Sequence, residues 1–253
     1  MDTVLVTGGT GTLGRRVVSR LRATSADVRV LTRDPERGEG HATGNLATGE
    51  GLEAAVAGVD TIIHCATNAR FHRVDFDGTA MLLDQARRHH VKHLIYISIV
   101  GIDRNPFAYY RTKLRVEQLI ADSGVPWTLL RATQFHDLVL GLVSRLAKLP
   151  VAPVPKGFSF QPVDTDAVAE RLMTLAGKEP VGRVRDVGGP RVDPIGDLLQ
   201  VYCAAAGKSR TVLPIGIPGK VGKAFRSGEN LLGPGGEVIG TTFDEFLTHK
   251  FPR

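Results

Sequence analysis

The chain has 253 residues, 42% of them hydrophobic and 23% charged, which excludes a disordered tract and allows a packed core. Its 32 Lys and Arg against 26 Asp and Glu give a net charge of +6. The cations are spread (Arg15, Arg16 and Arg20 on one segment, Arg87, Arg88 and Lys92 on another), which favours a solvated basic surface over a nucleic-acid stripe. The two cysteines, Cys65 and Cys203, make neither a disulfide framework nor a metal cluster. No apolar run approaches the roughly 18 residues of a membrane span. The first residues, MDTVLVTGG, carry an acid where a signal peptide carries positive charge, so a cytoplasmic protein is expected.

Short apolar runs alternate with amphipathic stretches through residue 135. The runs are Val4-Leu5-Val6, Val28-Arg29-Val30-Leu31, Thr61-Ile62-Ile63-His64, Leu94-Ile95-Tyr96-Ile97 and Trp127-Thr128-Leu129-Leu130. Each is short and rich in β-branched residues, as strands covered on both faces are. Helical patterns lie between them, at Val17, Val18 and Leu21, at Leu52, Ala55 and Val56, at Met81 to Ala86, and at Leu114 to Ile120 before Gly124. This alternation predicts right-handed βαβ units and a parallel sheet. Beyond residue 135, prolines interrupt the pattern. A helix is predicted over 166–175, a returning strand near 183–187 and a helix over 195–206, while 216–240 reads as loop.

The strongest motif is Thr7-Gly8-Gly9-Thr10-Gly11-Thr12-Leu13-Gly14, directly after the first strand and opening the first helix. Gly9-x-Gly11-x-x-Gly14 fits the dinucleotide fingerprint, and Gly8-x-x-Gly11-x-x-Gly14 fits its wider-spaced relative. Glycine is needed there for a tight turn, for close approach of the backbone to a pyrophosphate and for helix–strand packing. The free N–H groups at the helix start then face the phosphates. An NAD site places an acid at the end of the second strand. Here Arg33 stands there, and a guanidinium suits the 2′-phosphate of NADP. Arg37 adds a candidate second cation, and Asp34 is the competing acid. NADP(H) is the expected cofactor.

These residues, with Leu31-Thr32-Arg33-Asp34-Pro35, Gly44-Asn45-Leu46, His64-Cys65-Ala66-Thr67, Ile97-Ser98-Ile99-Val100-Gly101 and Tyr109-Tyr110-Arg111-Thr112-Lys113, resemble the short-chain dehydrogenase/reductase superfamily. Within it the chain is similar to the atypical, NmrA-like branch of NAD(P)H-binding proteins. The resemblance implies an α/β fold: a Rossmann-type doubly wound parallel sheet with a small C-terminal substrate-binding lobe. It implies a single NAD(P)-binding domain, with residues 1–135 as dinucleotide core and 136–253 mainly as substrate lobe. It assigns Gly8, Thr10, Gly11, Thr12, Leu13 and Gly14 to the pyrophosphate, and Asn45 and Leu46 to the adenine, relatives usually having Asp at the first of these. Cys65, Ala66 and Thr67 would line the cofactor, and Thr133 and Gln134 would lie near the nicotinamide and substrate. Independently of the resemblance, His136 and Asp137 follow the sixth strand at the carboxyl edge, where ligands bind in open α/β sheets, and are candidate substrate contacts.

Tyr109 and Lys113, four apart in a segment opened by Asn105-Pro106, share one helical face. An ammonium beside a phenol lowers its pKa from about 10. By the resemblance, Tyr109 is the proton donor, Lys113 also holds the nicotinamide ribose, and Ser98 is a second donor to the substrate oxygen. His89, His90 and His93 straddle a helix end and a strand start, so no metal site is expected. The reading is an NADPH-dependent reductase of a small, largely apolar carbonyl, enone or quinone. The alternatives are an NADP(H)-sensing regulator without turnover and a redox-neutral epimerase or cyclisation-directing enzyme. Partners reduce to a small-molecule substrate, with no nucleic acid and no membrane, in a monomer or homodimer.

Overall fold

The computed structural model describes residues 2–34, 38–67 and 72–252. Arg37 lies outside the described residues. The apolar runs form β1 (Thr3–Thr7), β2 (Asp27–Thr32), β4 (Thr61–His64), β5 (His93–Ile99) and β6 (Trp127–Ala132). Between β2 and β4 lies a strand that no apolar run marks, β3 (His41–Thr43). The pairings β1–β2, β1–β4, β2–β3 and β4–β5 are parallel. The predicted returning strand is two short ones, β9 (Gly182–Arg183) and β10 (Val187–Gly188), both parallel to β6. With β13 (Glu237–Val238) they complete a nine-stranded sheet of order β13-β10-β6-β5-β4-β1-β2-β3, β9 branching from β6. The α/β class and the parallel sheet are as expected.

Two compact units divide the chain. The first comprises Met1–Ser98, Ala108–Leu130 and Ala169–Val184. Its helices are α1 (Gly14–Leu21), α2 (Leu52–Val56), α3 (Gly78–Arg88) and α4 (Ala108–Ala121), with most of α6 (Thr165–Ala176). α1 buries Val17, Val18 and Leu21, each worth roughly 1.5–3 kcal/mol as an upper estimate. Leu5, Ile62, Leu94 and Leu129 from four strands share one core with Leu82, Val116 and Ile120. A π-helical turn (His72–Asp77) leads into α3. α4 starts two residues after Pro106, because Asn105 Oδ1 accepts the Phe107 N–H and holds a turn ahead of the helix.

The second unit comprises Ile99–Phe107, Arg131–Val168 and Arg185–Arg253. It holds α5 (His136–Leu146), β7 (Val151–Pro155), β8 (Ser159–Phe160), β11 (Asp193–Pro194), α7 (Ile195–Ala205), β12 (Thr211–Ile215), α8 (Gly219–Arg226) and α9 (Phe243–Lys250). β7 pairs with β12 in parallel and β8 with β11 antiparallel. Its own core joins Val139, Val143, Val154, Leu198, Leu199, Phe243 and Leu247. The expectation of loop over 216–240 is corrected by α8 and β13: α8 buries only Gly222 and Ala224, too narrow an apolar face to register as a helical period.

Candidate active site

The glycine loop turns where β1 ends. Gly11 N–H donates to the Gly8 carbonyl at 2.9 Å, and Arg15 N–H closes the first helical bond on Gly11 at 3.0 Å. The N–H groups of Thr12, Leu13 and Gly14 precede that bond, as a phosphate cradle requires. Gly8 has φ +66°, and a Cβ there would lie 2.7 Å from the Ala66 backbone. A Cβ on Gly14 would overlap the Gly8 carbonyl oxygen. Only glycine fits both positions, and Thr10, Gly11 and Thr12 remain exposed. These features fit a pyrophosphate against the start of α1.

β2 ends at Thr32, so Arg33 is the first residue beyond it and is exposed. An open cleft of about 480 Å³ runs beside the loop, lined by Gly9, Thr10, Arg15, Ser19, Arg22 and His41 among others, with no acid. Arg15, Arg22 and His41 have no shared sequence motif, since β3 brings His41 to the cleft from beyond β2. Asn45 Oδ1 accepts the Ala47 N–H at 2.9 Å, and Leu46 is buried in the first unit's core.

Cys65, Ala66 and Thr67 follow β4. Burial pushes the Cys65 thiol up to about 12, so it is no nucleophile. Thr67 Oγ1 lies 2.9 Å from the Tyr109 hydroxyl. The residue expected to line the cofactor and the expected proton donor are thus hydrogen-bonded to each other. Tyr109 is half-buried, and burial pushes its phenol up to about 12 although the Thr67 bond opposes the rise. This reverses the expected lowering. Lys113 does share the face, but its ammonium is engaged elsewhere, 3.5 Å from Asp75 Oδ1 and 4.5 Å above the Tyr96 ring.

Ser98 is buried, and its Oγ has no hydrogen-bond partner among the described residues. A buried hydroxyl left unmet has a cost that a ligand oxygen relieves. A polar chain that no motif signalled joins the end of β4 to the π-helical turn. Thr79 Oγ1 donates to the Asp75 carbonyl at 2.6 Å, so it accepts from His64 Nε2 at 2.9 Å. His64 Nδ1 must then accept from Thr7 Oγ1 at 2.5 Å. The imidazole is neutral, and burial pushes its pKa down to about 3.

Thr133, Gln134 and His136 belong to the second unit. Thr133 Oγ1 donates to the Gln161 carbonyl at 2.5 Å. Gln134 accepts from Gln161 N–H and donates to the Asn230 carbonyl. His136 is fully buried beside Phe243 and Phe246. Burial lowers its pKa against the pull of Asp164, Pro162 carbonyl, Asp137 and Glu245. Among the described residues, no group of three or more His, Cys, Asp or Glu could hold a metal. No helix among them is long and apolar enough to cross a membrane.

The family model for NAD(P)H-binding proteins matches residues 8–147. A (4-alkanoyl-5-oxo-2,5-dihydrofuran-3-yl)methyl phosphate reductase of Streptomyces griseus is 34% identical over 199 residues, covering 74% of this chain and 68% of that protein. A photosystem II assembly factor of Cyanophora paradoxa is 28% identical over 230 residues, covering 85% and 72%. Among solved structures, an NADPH-dependent quinone oxidoreductase of Escherichia coli in complex with NADPH superposes with a TM-score of 0.77 at 20% identity, covering 98% and 99% of the two chains.

Proposed function

The chain belongs to the NAD(P)H-binding family, and on that premise we propose that it is an NADPH-dependent oxidoreductase of a small, largely apolar carbonyl, enone or quinone. The observation that carries this reading is the Thr67–Tyr109 hydrogen bond. It presents a protonated phenol between the segment after β4 and the first turn of α4. In support, the S. griseus relative is by its name a reductase, and the structural neighbour is by its name an NADPH-dependent quinone oxidoreductase.

When bound, the reduced nicotinamide supplies the hydride. Tyr109 gives its phenolic proton to the substrate oxygen, and Thr67 Oγ1 donates to the Tyr109 oxygen along the 2.9 Å bond, so that the phenolic proton is aimed at the substrate. Ser98 offers its unmet hydroxyl to the same oxygen. Lys113 donates to the nicotinamide ribose. The N–H groups ahead of α1 hold the pyrophosphate, and Arg33 with the acid-free cleft of Arg15 and Arg22 favours the 2′-phosphate of NADP.

The test is cofactor consumption. Incubation with NADPH and a panel of ketones, enones and quinones should oxidise one NADPH per product formed. Tight NADPH binding without turnover on any of the panel would favour a regulator, the reading suggested by the assembly-factor relative. Conversion without net NADPH loss would replace the reductase by a redox-neutral enzyme.

A further inference from the structure

Lys113 is 4% exposed and Asp75 1% exposed. A buried ammonium without a counter-charge would lose its proton or unfold its surroundings. Five groups from four segments face it. Asp75 comes from the π-helical turn, Tyr96 from β5, His64 and Cys65 from the end of β4, and Glu117 from its own helix. His64 is neutral and Cys65 is held as a thiol, so neither is a counter-charge. Glu117 is one turn along α4 and acts only at longer range.

Asp75 is also held at its backbone. Its carbonyl accepts from Thr79, which is itself bound by His64. The π-helical turn places this residue out of the register of α3, a geometry that recurs where a side chain must be re-aimed. Sequence reading missed the residue, since nothing in Val74-Asp75-Phe76-Asp77 distinguishes it from Asp77, which is exposed.

We propose that Asp75 is the positioning residue for Lys113, its carboxylate supplying the counter-charge that holds the ammonium over the Tyr96 ring for contact with the cofactor. This rests on the reading of Lys113 as a cofactor contact. Asp75 touches neither substrate nor cofactor in this scheme. Its effect runs through the charge of Lys113, which burial works to remove and Asp75 to keep.

The test compares wild type, Asp75→Asn, Lys113→Met and the double variant by NADPH fluorescence titration from pH 6 to pH 10, and by denaturant unfolding. In Asp75→Asn the alkaline limit of NADPH binding should move down by at least one pH unit, with affinity below that limit within threefold of wild type. Loss by the same factor at every pH, or a profile identical to wild type, would overturn the proposal. If Asp75→Asn fails to fold, the double variant decides. Recovery of folding once the lone ammonium is removed supports the pairing, and continued failure shows that Asp75 serves the fold independently of Lys113. If NADPH binds to none of the proteins, the cofactor reading fails. The unfolding cycle then still decides the pairing: non-additive losses in the two single variants support it, and additive losses refute it.

Discussion

Tyr109 and Arg33 carry separable parts of the proposed chemistry. With its pKa near 12 in the free protein, Tyr109 keeps its proton through neutral and moderately alkaline pH, so the donor form is fully populated without help from Lys113. Tyr109→Phe removes that proton and leaves the ring. Turnover should fall by about 10²–10⁴-fold, the usual range for a positioned general acid, while the NADPH dissociation constant stays within about threefold. Wild-type turnover in the variant would remove Tyr109 from the mechanism. Reduction by the native protein should also show no loss of rate from this group between pH 7 and pH 9. Arg33 is exposed just past β2, so its contribution is measured on the cofactor ratio. A charge-assisted bond to a phosphate is worth about 1.5–3 kcal/mol. Arg33→Asp should therefore shift the NADP/NAD preference toward NAD by about ten- to a hundredfold. An unchanged ratio would leave the cleft of Arg15, Arg22 and His41 as the phosphate grip.

At the scale of elements, local signals differ in how far they reach. α9 is a case where capping can be tested directly. Thr242 Oγ1 accepts the Glu245 N–H and Glu245 accepts the Thr242 N–H, a complete capping box. Thr242→Ala should cost about 1 kcal/mol in unfolding free energy, read as a lower denaturant midpoint at unchanged slope. No change would mean the cap is replaced by water. β1, β2, β4, β5 and β6 were legible because strands covered on both faces are continuous apolar runs. β3 was not: His41-Ala42-Thr43 is short and half-exposed, and its place comes from pairing with β2. β7 and β12 were hidden by Pro153, Pro155 and Pro214. A two-stranded sheet leaves one edge of each strand unpaired, so a proline whose missing N–H would face that edge is tolerated. α5 was missed because Leu138 and Leu142 are exposed beside buried Val139 and Val143, which blurs the helical period. In the site, the glycine loop, Tyr109 and Lys113 lie within local motifs. The Thr67–Tyr109 and Asp75–Lys113 partnerships join distant stretches of chain and carry no local signature.

Over the whole molecule, buried histidines contribute to the loss of stability in acid. His64 and His93 lie in the first unit and His136 in the second, and burial lowers the pKa of all three. A histidine depressed in the folded state binds fewer protons there than when unfolded. Its stabilising contribution is therefore complete above the unfolded pKa near 6.5 and is lost as pH falls through the window below it. His64 offers the cleanest case, because its folded pKa of about 3 keeps it neutral across that window. Each pH unit below 6.5 then removes about 1.4 kcal/mol, or about 2.7 kcal/mol by pH 4.5. Carboxylates also titrate in this range, so the comparison must cancel them. His64→Asn does so, since asparagine keeps hydrogen-bonding capacity toward Thr7 and Thr79 but takes up no proton. The variant should be less stable than wild type at pH 7.5, having lost packing against Tyr96. The gap should close by about 2–3 kcal/mol on going to pH 4.5, measured as urea unfolding at both pH values. A gap of constant size would mean that His64 carries a proton in the folded protein, which would also break the assigned chain from Thr7 through Thr79 to Asp75.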